Sequence, residues 1–174
     1  QNNTLGILGL GKLGAQVARV GLAFGMNVQA WSANLTPDRC TECGVVCASR
    51  EELFATSDIV TVHLVLSDRT RGLIGTTEFQ MMKPTAYLVN TSRGPIIQES
   101  ALVSALQSGS IAGAGLDVYD TEPLPQNHPL RDLDNAVLTG HTGYVMRENY
   151  VTGYRGVVED VSAWLNGEPV RLLN

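Results

Sequence analysis

Three ionisable side chains lie just beyond apolar, strand-like stretches of this 174-residue chain, and their types could support catalysis. Arg93 comes shortly after "AYLVN", Glu122 shortly after "AGAGL", and His141 directly after "AVLTG". A cation can orient an anionic substrate, an imidazole can transfer a proton, and a carboxylate can hold the imidazole in place. The set suits hydride transfer to a 2-keto acid, because the carbonyl oxygen must gain a proton as the carbonyl carbon gains a hydride.

Each of these side chains also has a simpler interpretation. Arg93 could be a solvated loop cation, Glu122 a turn residue, and His141 a loop histidine bonded to a backbone carbonyl. Of the other two histidines, His63 in "VTVHLVL" is interpreted as packed or close to a cofactor, and His128 in "QNHPL" as a loop residue. Only convergence of the three chemical groups at one place favours a catalytic site.

A glycine-rich stretch near the start predicts dinucleotide binding. "GILGLGKLGAQVARV" places Gly9, Gly11 and Gly14 in a G-x-G-x-x-G pattern, after a predicted strand and at the start of a predicted helix. The first glycine permits the tight turn, the second lets the backbone approach a pyrophosphate, and the third allows close packing of helix on strand. Lys12 and Leu13, inside the same loop, are therefore candidate cofactor contacts; the alternative is a purely structural turn.

The sequence does not indicate clearly which of the two nicotinamide cofactors the site prefers. An acid about 20 residues beyond the glycine loop normally binds the ribose hydroxyls of NAD. The second predicted strand ends in "AWSANLT", which places Ser32 where that acid is expected. Without a carboxylate at this position, the 2′-phosphate of NADP would be repelled less. However, no arginine directly follows Ser32 to bind that phosphate, since Arg39 is several residues away. Asn34 is equally well explained as a loop residue, and the choice between NAD and NADP stays open.

The elements that must position these residues alternate between strands and helices. Helices are predicted over Lys12 to Phe24, from Thr36 as N-cap, after a Ser49–Glu52 capping box, over 98–108, and over about 146–166. The first helix carries Leu13, Val17, Val20 and Phe24 on one face and ends at Gly25. Between the helices lie apolar stretches typical of strands buried on both faces: "TLGILGL", "NVQAW", "GVVCA", "DIVTVHLVL", "TAYLVN", "IAGAGLDVY" and "NAVLTG". We expect an α/β fold with a doubly wound parallel sheet and helices on both faces.

Composition narrows the possible partners and compartments. The net charge of −5, from 12 basic and 17 acidic residues without a basic block, predicts no nucleic-acid partner. No apolar stretch reaches the roughly 20 residues of a membrane span, so we expect no membrane partner and a cytoplasmic location. Cys40, Cys43 and Cys47 lack a fourth nearby ligand for a closed zinc site, so we expect no metal, and an odd cysteine count suits a reducing compartment.

Taken together, the motifs resemble the NAD-binding domain of the D-isomer-specific 2-hydroxyacid dehydrogenases, the family of D-3-phosphoglycerate dehydrogenase, D-lactate dehydrogenase and glyoxylate reductase. The resemblance runs nearly end to end, through "GILGLGKLG", "HLVLSDRTRGLIG", "MKPTAYLVNTSRGPIIQESALVSAL", "GAGLDVYDTEPL" and "TGHTGY". The most specific signatures are N-x-x-R-G and D-V-[FY]-x-x-E-P, followed by the histidine. Ser32 departs from the family's common acid, and "TGHTGY" departs from its frequent T-P-H.

The resemblance implies a role for each candidate residue. Arg93 would bind the substrate's carboxylate and carbonyl, and Glu122 would pair with His141, the general acid in reduction and base in oxidation. Asp117 would face the nicotinamide end of a cofactor that is NAD or NADP, bound in a Rossmann-type domain. Further cofactor contacts implied in the same way are Thr91 and Gly143. A glutamate at position 122 argues against formate dehydrogenase, where the family pattern has glutamine.

The resemblance also implies how the chain is organised. Residues 1–174 would be a dinucleotide-binding domain, and about 167–174 would return into a second, substrate-binding domain whose leading part is absent. We therefore expect little turnover from this fragment alone. A homodimer is expected, with Val157, Val161, Trp164 and Leu165 of the last helix either at the interface or in the core. The main alternative is an NAD(H)-sensing module of the C-terminal-binding-protein co-repressor type; alanine dehydrogenase and adenosylhomocysteine hydrolase fit the ordered Arg, Glu and His less well.

Overall fold

The computed structural model describes residues 3–172 and contains a seven-stranded sheet in which all neighbouring strands are parallel. The strands are β1 (Thr4–Leu8), β2 (Asn27–Trp31), β3 (Val46–Cys47), β4 (Ile59–Val62), β5 (Tyr87–Asn90), β6 (Gly113–Leu116) and β7 (Ala136–Leu138). Their order is β3-β2-β1-β4-β5-β6-β7, so the chain reverses its direction of winding between β1 and β4. The predicted doubly wound α/β architecture of the Rossmann type is confirmed, and ligands bind such sheets at the carboxyl ends of the strands beside the reversal.

Six α-helices connect and flank these strands in the described residues. They are α1 (Lys12–Ala23), α2 (Pro37–Cys43), α3 (Arg50–Thr56), α4 (Thr76–Met81), α5 (Glu99–Ser108) and α6 (Arg147–Leu165). The predicted caps are confirmed: Thr36 accepts a hydrogen bond from the amide of Arg39, and Ser49 and Glu52 form the capping box of α3. These caps satisfy amides that would otherwise lack partners at the helix starts.

Helix α1 packs on the sheet through a different face from the one that apolar periodicity indicates. The buried residues of α1 are Gly14, Ala18 and Gly21, whereas Leu13, Val20 and Phe24 are each more than half exposed. The small residues face the sheet because a Cβ on Gly21 would lie 2.8 Å from the Leu5 side chain. Close approach of helix and strand therefore outweighs burial of the larger side chains here. Gly25, at φ +72°, follows the helix end as predicted.

Helix α4 has no counterpart among the predicted elements. It is six residues long and begins after Gly75, whose amide donates to the carboxylate of Glu78 at 2.8 Å. Glu78 is itself buried and accepts a hydrogen bond from Arg50 at 2.7 Å. A short helix held by a partly buried ion pair leaves little apolar periodicity to detect.

Several apolar stretches continue beyond the strands they contain. "DIVTVHLVL" supplies only Ile59–Val62 to the sheet, and its remaining residues, His63 to Leu66, run on past the end of β4. Because the last strand residues of β1 and β4 are paired, Leu8 with Val62, the glycine loop and this apolar segment leave the sheet side by side. The winding reversal is thus bordered by one glycine-rich and one apolar segment.

The chain divides into two compact units, Gln1–Gly140 and His141–Asn174. The first holds the sheet, helices α1 to α5 and the buried apolar clusters. The second consists mainly of α6, onto which Arg171 folds through ion pairs with Glu159 and Asp160. The predicted returning segment, about 167–174, is described as far as residue 172; residues 1–2 and 173–174 lie outside the described residues. No α-helix within residues 3–172 combines the length and apolarity needed to span a bilayer.

Candidate active site

The glycine loop between β1 and α1 is shaped by contacts that exclude larger side chains. Gly9 has φ +98°, and a Cβ there would lie 2.7 Å from the carbonyl oxygen of His63. A Cβ on Gly14 would lie only 2.0 Å from the carbonyl oxygen of Gly9. A Cβ on Gly11, by contrast, would meet no atom within 4 Å. Two of the glycines are therefore required by the fold, and Gly11 faces open space.

The start of α1 offers an anion-binding surface beside Gly11. Gly11 is the N-cap, no side chain caps the helix, and the first turn contains no acidic residue. The unpaired amides of a helix N-terminus, together with its dipole, bind phosphate groups. Lys12, exposed in the first turn, adds a positive charge. Open space at Gly11 and uncapped amides next to it fit the pyrophosphate of a dinucleotide.

A cleft of about 740 Å³ lies beside the N-terminal part of α1. Leu13 on α1, together with Thr91 and Arg93 after β5, lines it, so the structure brings these three predicted site residues together. The remaining lining residues are Gln16, Val17, His63, Leu64, Val65, Leu66 and Ser92. The cleft therefore joins the N-terminal end of α1, the candidate cofactor-binding end, to the candidate substrate-binding arginine.

A second pocket, of about 330 Å³, lies beyond the end of β2 and is lined by Ser32. It shares Leu64 and Val65 with the first cleft, so the two are adjacent. Trp31 also lines it and lies under the Arg50 guanidinium, 5.8 Å from the ring centroid. An extended dinucleotide bound along α1 would place its adenosine end at this second pocket.

The turn that carries Arg93 is held by Asn90, which sequence reasoning did not single out. Asn90 is 1% exposed; its amide nitrogen donates to the carbonyl of Arg93 at 2.9 Å, and its oxygen accepts from the amide of Ser92 at 3.0 Å. Within residues 3–172, Arg93 donates one hydrogen bond, to the Ser92 carbonyl at 2.6 Å, although a guanidinium has five N–H donors. The N-x-x-R-G signature thus has a structural reason, since its asparagine fixes the turn that presents the arginine.

The glycine of the same signature brings two loops into contact. A Cβ on Gly94 would lie 2.0 Å from the backbone carbonyl carbon of Tyr119, so only glycine permits this approach. The amide of Tyr119 donates in turn to the carboxylate of Glu122 at 3.0 Å. The loop carrying Arg93 and the loop carrying Glu122 are therefore packed backbone to backbone.

Asp117 occupies a buried position at the end of β6. Its amide donates to the carbonyl of Asn90 at 3.0 Å, and its carboxylate accepts a hydrogen bond from the Thr139 hydroxyl. The Tyr119 hydroxyl lies 2.8 Å from the Thr139 carbonyl, and burial together with the nearby Asp117 charge raises the pKa of Tyr119. These bonds fix the carboxyl ends of β5, β6 and β7 relative to one another.

His141 and Gly143 belong to the second compact unit. His141 has φ +55°, a left-handed conformation that is uncommon for a non-glycine residue and often found at functional sites. Its ring makes an edge-to-face contact with Tyr144, with 5.9 Å between the ring centroids. Pairing of His141 with Glu122 stays a prediction.

The other two histidines have defined structural surroundings. His63 lines the first cleft, as one of its two interpretations requires, and its Nε2 lies 3.0 Å from the Thr61 hydroxyl. His128 lies in a loop as expected, where it caps a 3₁₀ helix (Pro129–Asp132) and pairs with Glu99 at 3.0 Å. The position of His128 favours a structural role.

Comparison with known proteins identifies the family. Residues 1–143 match the model of the family described as D-isomer specific 2-hydroxyacid dehydrogenase, NAD binding domain. The chain belongs to this family. The dehydrogenase domain is 43% identical to a glyoxylate reductase of Aeropyrum pernix, over all of the chain and 52% of that protein. It is 38% identical to a D-3-phosphoglycerate dehydrogenase of Archaeoglobus fulgidus, over 98% of the chain and 32% of that protein.

A solved relative supports the same assignment. The structure of D-lactate dehydrogenase with NAD⁺ from Lactobacillus jensenii superimposes with a TM-score of 0.83 at 27% identity, over 99% of this chain and 55% of that one. The dehydrogenase domain thus spans about half the length of the first of these curated relatives. These relatives are named as enzymes, and none of them supports the co-repressor alternative.

Replacing Asn90 by alanine is expected to impair substrate binding as well as stability. The variant leaves the amide of Ser92 and the carbonyl of Arg93 without their buried partner, which costs about 1–3 kcal/mol of unfolding free energy. Displacement of Arg93 should also lower kcat/KM roughly 10- to 100-fold in the complete enzyme. The complete enzyme means the full product of the gene that encodes this chain. Asn135→Ala, which removes one hydrogen bond to Leu106, is the matched control. An Asn90→Ala enzyme with the kcat/KM of this control would contradict the positioning role.

His63 is expected to make the dehydrogenase domain sensitive to mild acid. Burial lowers the pKa of His63, so the unfolded chain binds a proton more readily than the folded one. This contribution to stability is complete above the ordinary histidine pKa of 6.5 and is lost as the pH falls towards the lowered value. The Tm of the wild type should therefore fall more steeply below about pH 6.5 than that of His63→Gln. Parallel curves for the two proteins would contradict this effect.

Proposed function

We propose that this chain is the cofactor-binding part of a D-2-hydroxyacid dehydrogenase that transfers a hydride between NADH or NADPH and a 2-keto acid. The observation that carries the proposal is the single cleft that Leu13, at the start of α1, shares with Arg93. A dinucleotide held at Gly11 and a carboxylate held at Arg93 would both reach this cleft. A substrate anion beside a bound nicotinamide is the arrangement that hydride transfer requires.

In the proposed mechanism the cofactor supplies the hydride and the protein supplies orientation and the proton. Backbone amides at Gly11 and the first turn of α1 would hold the pyrophosphate. Asp117 and Thr91 would contribute to the nicotinamide end of the site. Arg93 binds the carboxylate and carbonyl of the substrate, which aligns the carbonyl carbon for hydride transfer. The carbonyl oxygen takes its proton from His141, and the process runs in reverse for oxidation.

In this mechanism Glu122 orients and stabilises His141, which is the proton donor. Its carboxylate, anchored by the amide of Tyr119, would accept a hydrogen bond from the His141 ring and stabilise the imidazolium before proton transfer. Gly143, two residues after the histidine, would leave the backbone room to approach the cofactor. The pairing also fixes which ring nitrogen faces the substrate.

We further propose that residues 1–174 function as the dinucleotide-binding domain, with about 167–174 contributing to a substrate domain. The support is that the chain spans about half the length of the Aeropyrum relative. A second domain would close the cleft, exclude water and complete the substrate site. Turnover by this chain alone is therefore expected to be low.

Homodimer formation and a cytoplasmic location complete the proposal. Val157, Val161, Trp164 and Leu165 of α6 are each more than half exposed, and none of the described residues of α6 is buried. An apolar stripe of this kind suits an interface between two copies. The three cysteines are free thiols, which suits a reducing compartment.

An activity assay on the complete enzyme tests the proposed function. A series of 2-keto acids of increasing size, beginning with glyoxylate, is offered with NADH and with NADPH, and consumption of the reduced cofactor is followed by absorbance. We expect reduction of at least one member of the series, and formation of the D-hydroxy acid from every reduced member larger than glyoxylate, whose product is achiral. Tight cofactor binding without reduction of any 2-keto acid would contradict the enzyme and favour a sensing module.

A further inference from the structure

The pocket at the end of β2 lacks the group that an NAD-selective site uses. Selectivity for NAD rests on an acidic residue that binds both ribose hydroxyls and repels a 2′-phosphate. Among the described residues, none that lines this pocket is acidic: Trp31, Ser32, Ala33, Asn34, Leu64, Val65, Ser67, Arg69, Thr70 and Leu73. A 2′-phosphate would therefore meet no negative side chain there.

The same pocket contains one cation, Arg69, which the sequence motifs did not indicate. Within residues 3–172, its guanidinium makes no hydrogen bond and no ion pair. The neighbouring Asp68 does not line the pocket. Arg69 is therefore a cation in the pocket without a protein carboxylate to neutralise it, and a guanidinium is the side chain best suited to bind a phosphate.

The turn that presents Arg69 is held by its own hydrogen bonds. The Thr70 hydroxyl accepts from the amide of Ser67 at 2.8 Å and donates to the carbonyl of Val65 at 2.7 Å. The amide of Thr70 also donates to the carbonyl of Ser67 at 3.0 Å. The backbone around Arg69 is therefore already ordered, which lowers the entropic cost of binding an anion.

Arg39, the arginine nearest to Ser32 in sequence, is engaged elsewhere. Its Nε lies 3.4 Å from the carbonyl of Leu10 in the glycine loop, and its Nη1 pairs with Glu42 at 3.0 Å. Arg39 does not line the pocket beyond β2. The cation available to a phosphorylated ribose comes from the loop after β4 instead of from α2.

We propose that the pocket lined by Ser32 and Arg69 binds the 2′-phosphate of NADP(H), so that the enzyme prefers NADPH to NADH. The inference rests on the proposed dinucleotide binding and deepens it by naming the cofactor. Arg69 pairs with the phosphate, and the Ser32 hydroxyl replaces the repelling carboxylate with a hydrogen-bond donor. Trp31 provides an apolar wall next to the ribose.

Binding titrations on the complete enzyme test the preference without relying on turnover. Trp31 lines the pocket, whereas Trp164 is in α6, so a Trp164→Phe background leaves Trp31 as the fluorescent reporter in this chain. Calorimetry gives the Kd values independently. We expect NADPH to bind roughly 10-fold more tightly than NADH, and 2′,5′-ADP more tightly than ADP by a similar factor. Raising the salt concentration should reduce this difference.

Variants assign the preference to the two residues. Arg69→Ala should weaken NADPH binding about 10-fold and leave NADH binding unchanged, whereas Arg71→Ala, an exposed arginine in the same segment, should change neither. Ser32→Asp should weaken NADPH binding roughly 10- to 100-fold and improve NADH binding.

The outcomes separate this inference from the proposed function. Tighter binding of NADH than of NADPH, or an Arg69→Ala variant that binds NADPH as well as the wild type does, would overturn the cofactor preference while leaving dinucleotide binding intact. Failure of the complete enzyme to bind either cofactor would overturn both.

Discussion

Replacing His141 by glutamine should reduce kcat for 2-keto acid reduction by about 10²- to 10⁴-fold in the complete enzyme. Glutamine keeps a polar side chain of similar length but cannot deliver a proton to the carbonyl oxygen. The Kd of the reduced cofactor should stay within about 2-fold of the wild-type value, because the loss concerns the chemical step. Rapid-quench or stopped-flow measurement of a single turnover, combined with a cofactor titration, separates the two effects.

His128→Gln is the matched control for this prediction. His128 is also a histidine outside the α-helices and strands, but it pairs with Glu99 and caps a 3₁₀ helix. Its replacement should lower stability slightly and leave kcat within about 3-fold of the wild-type value. Equal losses of kcat in the two variants would show that His141 has no special part in proton transfer.

Gly14→Ala and Gly11→Ala should separate a glycine needed for the fold from the glycine proposed to bind the cofactor. A methyl group at Gly14 would lie 2.0 Å from the carbonyl oxygen of Gly9, so α1 must move away from β1. We expect a loss of about 2–4 kcal/mol of unfolding free energy, which lowers Tm by roughly 5–15 °C. The measurement is thermal or denaturant unfolding of the chain.

Gly11→Ala is expected to have the opposite effect, leaving stability unchanged and weakening cofactor binding. The added methyl group meets no protein atom within 4 Å, and φ is −76°, so Tm should remain unchanged. The methyl group does occupy the surface that a pyrophosphate would approach, and loss of one hydrogen bond to a charged group costs about 1.5–3 kcal/mol. Cofactor Kd should accordingly rise roughly 10- to 100-fold. An unchanged Kd would show that the pyrophosphate does not bind at this loop.

The sequence alone predicts those parts of the fold in which local backbone geometry or hydrogen bonding requires a particular kind of residue. Strand β2 coincides with "NVQAW", and Thr36 and Ser49 cap α2 and α3 where hydroxyl groups precede helical segments. Gly9 is explained by its φ of +98° and Gly14 by its contact with the Gly9 carbonyl, as the glycine pattern predicts. These features depend on neighbours close in sequence, which is why they can be recognised without a structure.

Features that depend on distant parts of the chain are harder to predict. The sheet-facing side of α1 is set by its approach to Leu5 and Val28, and the apolar periodicity of the helix points to a different face. Asn90 gains its role from the turn it closes, and Arg69 enters the pocket beyond β2 from a loop that follows β4. Tertiary contacts of this kind leave no periodic signal within one segment.

The meeting of Arg93, Glu122 and His141 beside the nicotinamide is the central claim, and a crystal structure of the complete enzyme with reduced cofactor and oxamate tests it most directly. Oxamate is an unreactive analogue of a 2-keto acid. We expect the His141 ring within about 2.6–3.2 Å of a Glu122 carboxylate oxygen, and the Arg93 guanidinium bonded to the oxamate carboxylate. A structure in which His141 lies at the opposite edge of the sheet from Gly11, out of hydrogen-bonding range of Glu122, would contradict the account.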